Sequence, residues 1–553
     1  MSTSDSSKLT HEPVLRRADT IATRIKAKQH PWAPIVLSLD GGGIKGLSEL
    51  FILLKIMNRI EELIVEGSND ETTAEEAVRS HQGRVADKKQ AKKTTIRDDE
   101  LFAFSKDPAL LPCYFFDFMV GTSTGGLIAV MLGRLRMNVP DAIKAYWCLG
   151  NDIFLSRPIA GPYSSKKLKD AIIRVITDHC RCHGEPGQDC HDTEPLRQYD
   201  YAEENDISYK KTPHRQNFTC KVALVAQCKK KGSQRRYLFR SYNHSPRFEG
   251  DLLEHNPMTL GGKALHMWKA CRATSAAPLY FDSMKIGHDE FLDGGAGNNN
   301  PSNIAWNEAI WMSKPIHSHT TATSGNETVA AVVSLGCGEK EKHHLFKDRP
   351  RILYAIQALK YGKSRISDTE LAHEETRRLA GTSDSYYVRF SVTPTDGDRG
   401  NNGLADVKLS DCARVSKRHL WGYGPLKEVK KPVGDAELPL PEWYTALQEE
   451  ATPKGSLRKK GTFKPEKFWY TTFDTIFRRT EEYCRLHNDG GENVKGDIDT
   501  CAKTLLSYAR ERQENDPERW KCHVSHPDPA HPAFLESTRR PRPREEESGG
   551  GTP

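Results

Sequence analysis

Two glycine clusters, each directly after an apolar run, constrain the fold of this chain more than any other feature. The first, Asp40–Gly46, reads Asp-Gly-Gly-Gly-Ile-Lys-Gly and follows the apolar run Ile35–Leu39. The second, Gly121–Gly126, follows the run Tyr114–Val120. A strand that turns through glycines into a helix is a unit of α/β proteins. With further strands alternating with helices, these turns predict an α/β fold with a mostly parallel central sheet flanked by helices.

The second cluster places Ser123 in the arrangement Gly-x-Ser-x-Gly. Such a turn holds the serine hydroxyl out of the sheet at a helix N-terminus, where the helix dipole favours developing negative charge. The same spacing also occurs in small-residue turns without chemistry, so a base is needed to support a nucleophile. Asp293 is a candidate because it ends a short apolar run before two glycines. His317 and His319 follow in a Ser/Thr-rich stretch and are more simply solvated loop residues.

The first cluster admits three interpretations. Its consecutive glycine N–H groups are suited to an oxyanion hole, in which one donor contributes about 3 kcal/mol to the transition state. Gly41, Gly43 and Gly46 also fit a dinucleotide fingerprint, but no strand with a terminal acidic residue follows about 20 residues later. A P-loop is excluded because Lys45 is followed by glycine and not by serine or threonine.

Taken together, these residues resemble the patatin-like phospholipase family. The family patterns D-G-G-G-x-[RK]-G, G-x-S-x-G and D-G-[GA] match Asp40–Gly46, Gly121–Gly125 and Asp293–Gly295 in this order. The similarity extends from about Val36 to Asp411. Further matching segments flank the motifs: Phe116-Asp117, Ala273–Phe281 and Asn299–Pro301.

The resemblance implies a role for each motif residue. Ser123 would be the nucleophile, Asp293 the general base, and Gly41, Gly42 and Gly43 the oxyanion hole. The family hydrolyses ester bonds of phospholipids and related lipids through a Ser-Asp dyad and an acyl-enzyme, without a catalytic metal or cofactor.

Lys45 replaces an arginine common in the family and is a candidate contact for a lipid phosphate or headgroup. Three alternatives to a lipid hydrolase remain. They are an acyltransferase, a non-catalytic lipid-binding or interaction protein on the same fold, and a histidine-dependent α/β-hydrolase.

Composition changes along the chain predict its organisation. The predicted segments are a flexible basic arm at 1–30, a patatin-like catalytic domain at 31–414 with insertions at about 67–100 and 179–206, a helical extension at 415–522 and a disordered tail at 523–553. Within the extension, Phe468–Leu486 and Asp497–Gln513 have the periodicity of amphipathic helices.

Charge and cysteine content bear on partners and location. The net charge of +7 arises from 81 basic and 74 acidic residues, a mild excess that does not argue for nucleic acid but is compatible with an anionic membrane surface. The sequence opens with no signal peptide, no run is long enough to span a bilayer, and the 13 cysteines are an odd number. We therefore expect a cytoplasmic protein, peripheral on membranes, that acts on phospholipid or lysophospholipid.

One polar segment is dense in cysteine and histidine. Cys180, Cys182, His183 and Cys190 are weak zinc candidates, but their spacing is not of the C-x₂-C type. A surface loop with reduced thiols is the simpler interpretation, and we expect no metal or cofactor in the reaction.

Overall fold

A central eight-stranded sheet organises the part of the chain that this computed structural model describes. The described residues are 32–80, 109–154, 163–180, 220–230, 233–242, 265–278, 280–312, 329–338, 369–392, 403–404, 407, 444, 472–486 and 493–524. The strands are β1 (Ile35–Leu39), β2 (Phe118–Thr122), β3 (Lys221–Lys230), β4 (Ser233–Arg240), β5 (Met284–Ile286), β6 (Asp289–Asp293), β7 (Ala331–Gly336) and β8 (Tyr386–Ser391).

The sheet order is β5-β6-β3-β2-β1-β7-β8, with β4 also paired to β3. The pairs β1–β2, β1–β7, β2–β3 and β7–β8 are parallel, whereas β3–β4, β3–β6 and β5–β6 are antiparallel. The predicted α/β fold with a mostly parallel sheet is therefore confirmed. Strands β3 and β4 form a hairpin, in which Lys230 lies opposite Ser233 and Ala223 lies opposite Arg240.

Helices cover both faces of this sheet. They are α1 (Gly46–Ser80), α2 (Thr124–Ala129), α3 (Val139–Phe154), α4 (Ser165–His179), α5 (Met267–Thr274), α6 (Ser302–Met312), α7 (369–382), α8 (Thr472–Cys484), α9 (Val494–Asn515) and α10 (Pro517–Val524). Strand β1 shows why two layers form. Ile35, Leu37 and Leu39 join the core beneath α1, while Val36 joins a second core with Trp306 of α6.

Helix α1 is longer than the sequence pattern indicates. An insertion is predicted from about residue 67, but the helix continues past this point to Ser80. Polar residues extend a helix that is already nucleated, because each added residue forms a further hydrogen bond without a new nucleation cost. The rest of the proposed insertion, 81–100, lies outside the described residues.

The C-terminal helices pack directly on the sheet domain. Helices α8 and α9 lie against α1, and α10 lies against the turn Pro112–Tyr114 before β2. Their apolar residues, including Phe477 and Leu505, belong to the same core as β1. Both predicted helices are confirmed, and α10 was not anticipated. The arm predicted at 1–30 lies outside the described residues, and so do the insertion predicted at about 179–206 from residue 181 onwards and the tail predicted at 523–553 from residue 525 onwards. Those predictions stay predictions.

Among the helices described, none combines the length and the apolarity needed to cross a membrane.

Candidate active site

Ser123 lies at a strained turn between β2 and α2. Its φ of 56° is in the left-handed region, which residues other than glycine rarely adopt. The flanking glycines allow the turn to close: a Cβ on Gly121 would lie 2.1 Å from the Gly125 carbonyl oxygen, and a Cβ on Gly125 would lie 2.5 Å from the Leu39 carbonyl oxygen. The predicted elbow therefore forms, with the serine at the start of α2.

Asp293 reaches Ser123 because two strands share one edge of β3. Strand β2 runs parallel to the first half of β3 and ends with Thr122 opposite Val225. Strand β6 runs antiparallel to the second half and ends with Asp293 opposite Ala226. Since β4 pairs with residues from both halves of β3, it occupies the other edge. The carboxyl ends of β2 and β6 consequently meet head to head.

The two side chains are joined by a short hydrogen bond. The Ser123 hydroxyl donates to Asp293 Oδ2 over 2.5 Å. The second carboxylate oxygen, Oδ1, accepts from the Gly295 N–H at 2.6 Å. Asp293 is fully buried and Ser123 is 8% exposed. A carboxylate that accepts at both oxygens has the charge and orientation of a general base, and a direct contact of this length leaves no room for an imidazole between the two side chains.

Thr274, at the end of α5, supports this arrangement. Its hydroxyl accepts the Ser123 backbone N–H at 2.9 Å and donates to the Val225 carbonyl at 2.5 Å. The strained serine is thereby tied to β3, the strand that also positions Asp293. Thr274 lies in a segment that the resemblance includes, but no role was assigned to it from the sequence.

The glycine turn after β1 lies beside the serine. The Gly42 N–H donates to the hydroxyl of Thr124, the residue after the serine, at 3.2 Å. The Gly41 N–H donates to the Asn299 carbonyl at 3.1 Å, so that amide is engaged within the protein. Gly43 has a φ of 57°, which turns the chain into the short 3₁₀ helix Gly43–Lys45.

Comparison with known proteins bears on this geometry. A family model described as "Patatin-like phospholipase" matches residues 106–306, which contain both Ser123 and Asp293. The chain contains a patatin-like phospholipase domain. This confirms the resemblance found in the sequence. The Asp40–Gly46 motif precedes the matched range, but the parallel pairing of β1 with β2 brings it to the serine.

Relatives of this chain include "Calcium-independent phospholipase A2-gamma" from Rattus norvegicus and from Homo sapiens. Each is 30% identical, over 229 and 230 residues, covering 41% of this chain and 24% of the relative. "Phospholipase A I" from Arabidopsis thaliana is 23% identical over 350 residues, covering 57% of this chain and 22% of the relative. The chain thus spans about a quarter of the length of these relatives. The crystal structure of VipD from Legionella pneumophila is 12% identical with a TM-score of 0.26, covering 68% of this chain and 64% of VipD.

Polar residues that no sequence motif singles out surround the start of the glycine turn. The Asp40 carboxylate is paired with Arg389 of β8, and the Asp40 N–H donates to Glu49 Oε1 of α1 at 2.7 Å. Burial raises the pKa of Asp40, and the charge of Arg389 opposes this rise. Burial, reinforced by the charge of Asp40, raises the pKa of Glu49 well above its ordinary value. Burial thus favours the neutral form of this carboxyl group.

Lys45 does not face a lipid-accessible surface in this arrangement. It is 4% exposed, and its ammonium donates to the Gly338 carbonyl at 3.4 Å, beyond the end of β7. A headgroup contact would require this side chain to leave its buried position. The structure therefore gives no support to the predicted contact with phosphate.

The proposed zinc segment is largely outside the described residues. Cys180 is buried and directly follows His179, the last residue of α4. Cys182, His183 and Cys190 are not described, nor are His317 and His319. The described residues contain no group of three or more metal-ligating side chains.

Proposed function

We propose that this protein is a serine lipid acyl hydrolase that cleaves ester bonds of phospholipids or lysophospholipids at a membrane surface. The observation that carries the proposal is the 2.5 Å hydrogen bond from the Ser123 hydroxyl to Asp293. The patatin-like domain and the phospholipases among its relatives support the choice of a lipid ester as substrate.

The dyad supplies both steps of the reaction. Asp293 accepts the proton of Ser123 as Oγ attacks the acyl carbonyl, and this proton then passes to the departing alcohol oxygen. An acyl-enzyme on Ser123 results. Water then attacks the acyl-enzyme, gives its proton to Asp293 and releases the free fatty acid, while the serine recovers its proton.

The oxyanion is stabilised by backbone amides of the glycine turn and by the N-terminus of α2. Because the Gly41 N–H already donates to Asn299, we assign the hole to Gly42 and Gly43. The Gly42 N–H has a long bond to Thr124, which the more negative oxyanion oxygen displaces as it forms. Since a carboxylate activates the nucleophile and amides bind the oxyanion, these steps require no metal.

Fatty acid release from mixed phospholipid and lysophospholipid vesicles in excess chelator tests the proposal. Ser123→Ala and Asp293→Asn should each lower the rate by about 10,000-fold, because the members of a dyad act as a unit. Asp282→Asn is the matched control, since this exposed aspartate bonds to Ser165 and not to the dyad. Its rate should equal that of the wild type.

The same assay separates the alternatives. Transfer of the acyl group to an added lipid alcohol in preference to water would identify an acyltransferase. Vesicle binding without acyl release by the wild type, or full activity of Ser123→Ala, would contradict the proposal. A requirement for a divalent cation would contradict its metal independence.

A further inference from the structure

The glycine turn beside Ser123 has almost no side chains through which other parts of the protein can hold it in place. Gly41, Gly42 and Gly43 have none, so Asp40 carries the first side chain that can anchor the turn. This carboxylate is 3% exposed and lies against the guanidinium of Arg389. The atoms Nη2 and Oδ2 are 2.7 Å apart, and Nη1 and Oδ1 are 3.3 Å apart. Such a two-point contact fixes the direction of the carboxylate as well as its position.

Arg389 reaches Asp40 across an intervening strand. It lies on β8 opposite Ser334 of β7, which in turn lies opposite Ser38 of β1. These two serines are small enough to let the arginine lie flat over β7. Its Nη1 donates to Ser334 Oγ at 2.8 Å on the way, and its side chain is 7% exposed. The guanidinium is thus held by the sheet before it contacts the carboxylate.

The backbone of Asp40 is fixed at the same point. Its N–H is shared between the Leu335 carbonyl, at 3.1 Å, and Glu49 Oε1, at 2.7 Å. Its carbonyl oxygen lies 3.9 Å from the Cys337 thiol, which donates to it. The residue preceding the glycines is therefore anchored from β7, β8 and α1, and the charge-assisted contact with Arg389 is the strongest type among these.

We propose that Arg389 is a positioning residue for the oxyanion hole: through Asp40, it sets the Gly42 and Gly43 amides relative to Ser123. This rests on the proposed hydrolase function. Arg389 contacts neither Ser123 nor Asp293, so its effect passes through the turn. Catalytic groups displaced by about 1 Å lose about 100-fold in rate, which sets the expected size of the effect.

A second buried pair in the same sheet provides a matched control. Arg240 of β4 pairs with Glu308 of α6, with Nε and Oε1 2.6 Å apart and side chains 0% and 7% exposed. It is buried as fully as the Arg389–Asp40 pair but makes no contact with the glycine turn. Arg240→Ala therefore shows how the loss of a buried guanidinium affects the stability of the fold when the oxyanion hole is not displaced.

The experiment compares Arg389→Ala, Arg389→Lys and Arg240→Ala, with activity expressed per folded molecule from thermal unfolding. Vesicle hydrolysis gives kcat and KM, and a fluorophosphonate probe gives the rate at which the serine is phosphonylated. Arg389→Ala should lower kcat and the phosphonylation rate about 100-fold, with KM changed by less than about 3-fold. Arg389→Lys should lower kcat less than Arg389→Ala does, because a lysine keeps the positive charge but cannot make the two-point contact with the Asp40 carboxylate. Arg240→Ala should keep kcat within about 3-fold.

The outcomes separate this inference from the proposed function. Wild-type protein that is phosphonylated but hydrolyses no lipid would contradict the proposed substrate, while the phosphonylation rates would still test Arg389. Unchanged kcat in Arg389→Ala, or an equal loss in Arg240→Ala, would overturn the positioning role. If Arg389→Ala does not fold, the nearly isosteric Asp40→Asn should show the same loss of kcat at unchanged KM, and normal kcat there would also overturn it.

Discussion

The contact of Arg512 with Asp117 joins the C-terminal helix α9 to the central sheet, and its loss should lower the stability of the fold. Arg512 Nη2 lies 2.7 Å from Asp117 Oδ2 and also donates to the Ala33 carbonyl at 3.1 Å. The same Asp117 oxygen accepts the Ile35 N–H at 2.7 Å, so one carboxylate joins α9 to the beginnings of β1 and β2. We expect Arg512→Ala to weaken all of these contacts together.

The structure gives the size of the effect. Removal of one partner of a buried ion pair costs about 3–5 kcal/mol, because the other charge stays buried without compensation. Arg512 is 1% exposed, but Asp117 is 24% exposed and recovers some hydration. We therefore expect Arg512→Ala to lower the free energy of unfolding by about 3 kcal/mol, the lower end of that range.

Urea unfolding followed by circular dichroism measures this loss. The control is Arg174→Ala, whose partner Asp152 lies 2.7 Å away in an exposed pair, with side chains 58% and 33% exposed. Such a pair contributes at most about 1 kcal/mol. Equal losses in the two variants would refute the reasoning, as would wild-type α8–α10 unfolding in a separate transition while the sheet stays folded.

Three further predictions concern the site. Gly125→Ala should abolish hydrolysis in the vesicle assay, because the new Cβ would lie 2.5 Å from the carbonyl oxygens of Leu39 and Asp40. Gly381→Ala is the control and should leave the rate unchanged, since no atom lies within 4 Å of its Cβ position. Thr274→Val should lower kcat about 10-fold, since the N–H of Ser123 loses its partner; unchanged kcat would contradict this. The raised pKa of Glu49 means that the folded state binds its proton more tightly, so this residue should make stability fall as pH rises above about 4.5 towards the folded pKa. Glu49→Gln should remove that part of the pH dependence of urea unfolding, and an unaltered slope would argue against a raised pKa of Glu49.

The parts of the site that the sequence could predict are those that local motifs encode. The elbow around Ser123 depends on glycines two residues away, and the sharp turn at Asp293 depends on the glycines that follow it. These motifs specify backbone conformation, so their appearance in the structure follows from short-range sterics. Buried strands were also predictable from local sequence, because runs rich in β-branched residues, such as Val329–Leu335, favour them.

The contacts that organise the motifs were not predictable in this way. Arg389 lies 349 positions from Asp40 in the sequence, and β7 lies between their two strands in the sheet. A single arginine within the apolar strand Tyr386–Ser391 was the available signal, because a buried guanidinium needs a partner. Nothing local identifies that partner. The extent of α1 escaped prediction for another reason, since its last turns lack an apolar stripe.

The distance between Ser123 and Asp293 depends on β3, because the strands that lead to these two residues pair with the same edge of it. Ser123 follows the residue opposite Val225, and Asp293 stands opposite Ala226, so adjacent positions of β3 set the gap between these two side chains. A slip of one residue in either pairing would move one of the two side chains by about 3.3 Å, more than a hydrogen bond tolerates. We therefore expect an insertion within β3 to separate Ser123 from Asp293, whereas a change of chain length before the strand should leave their spacing unchanged.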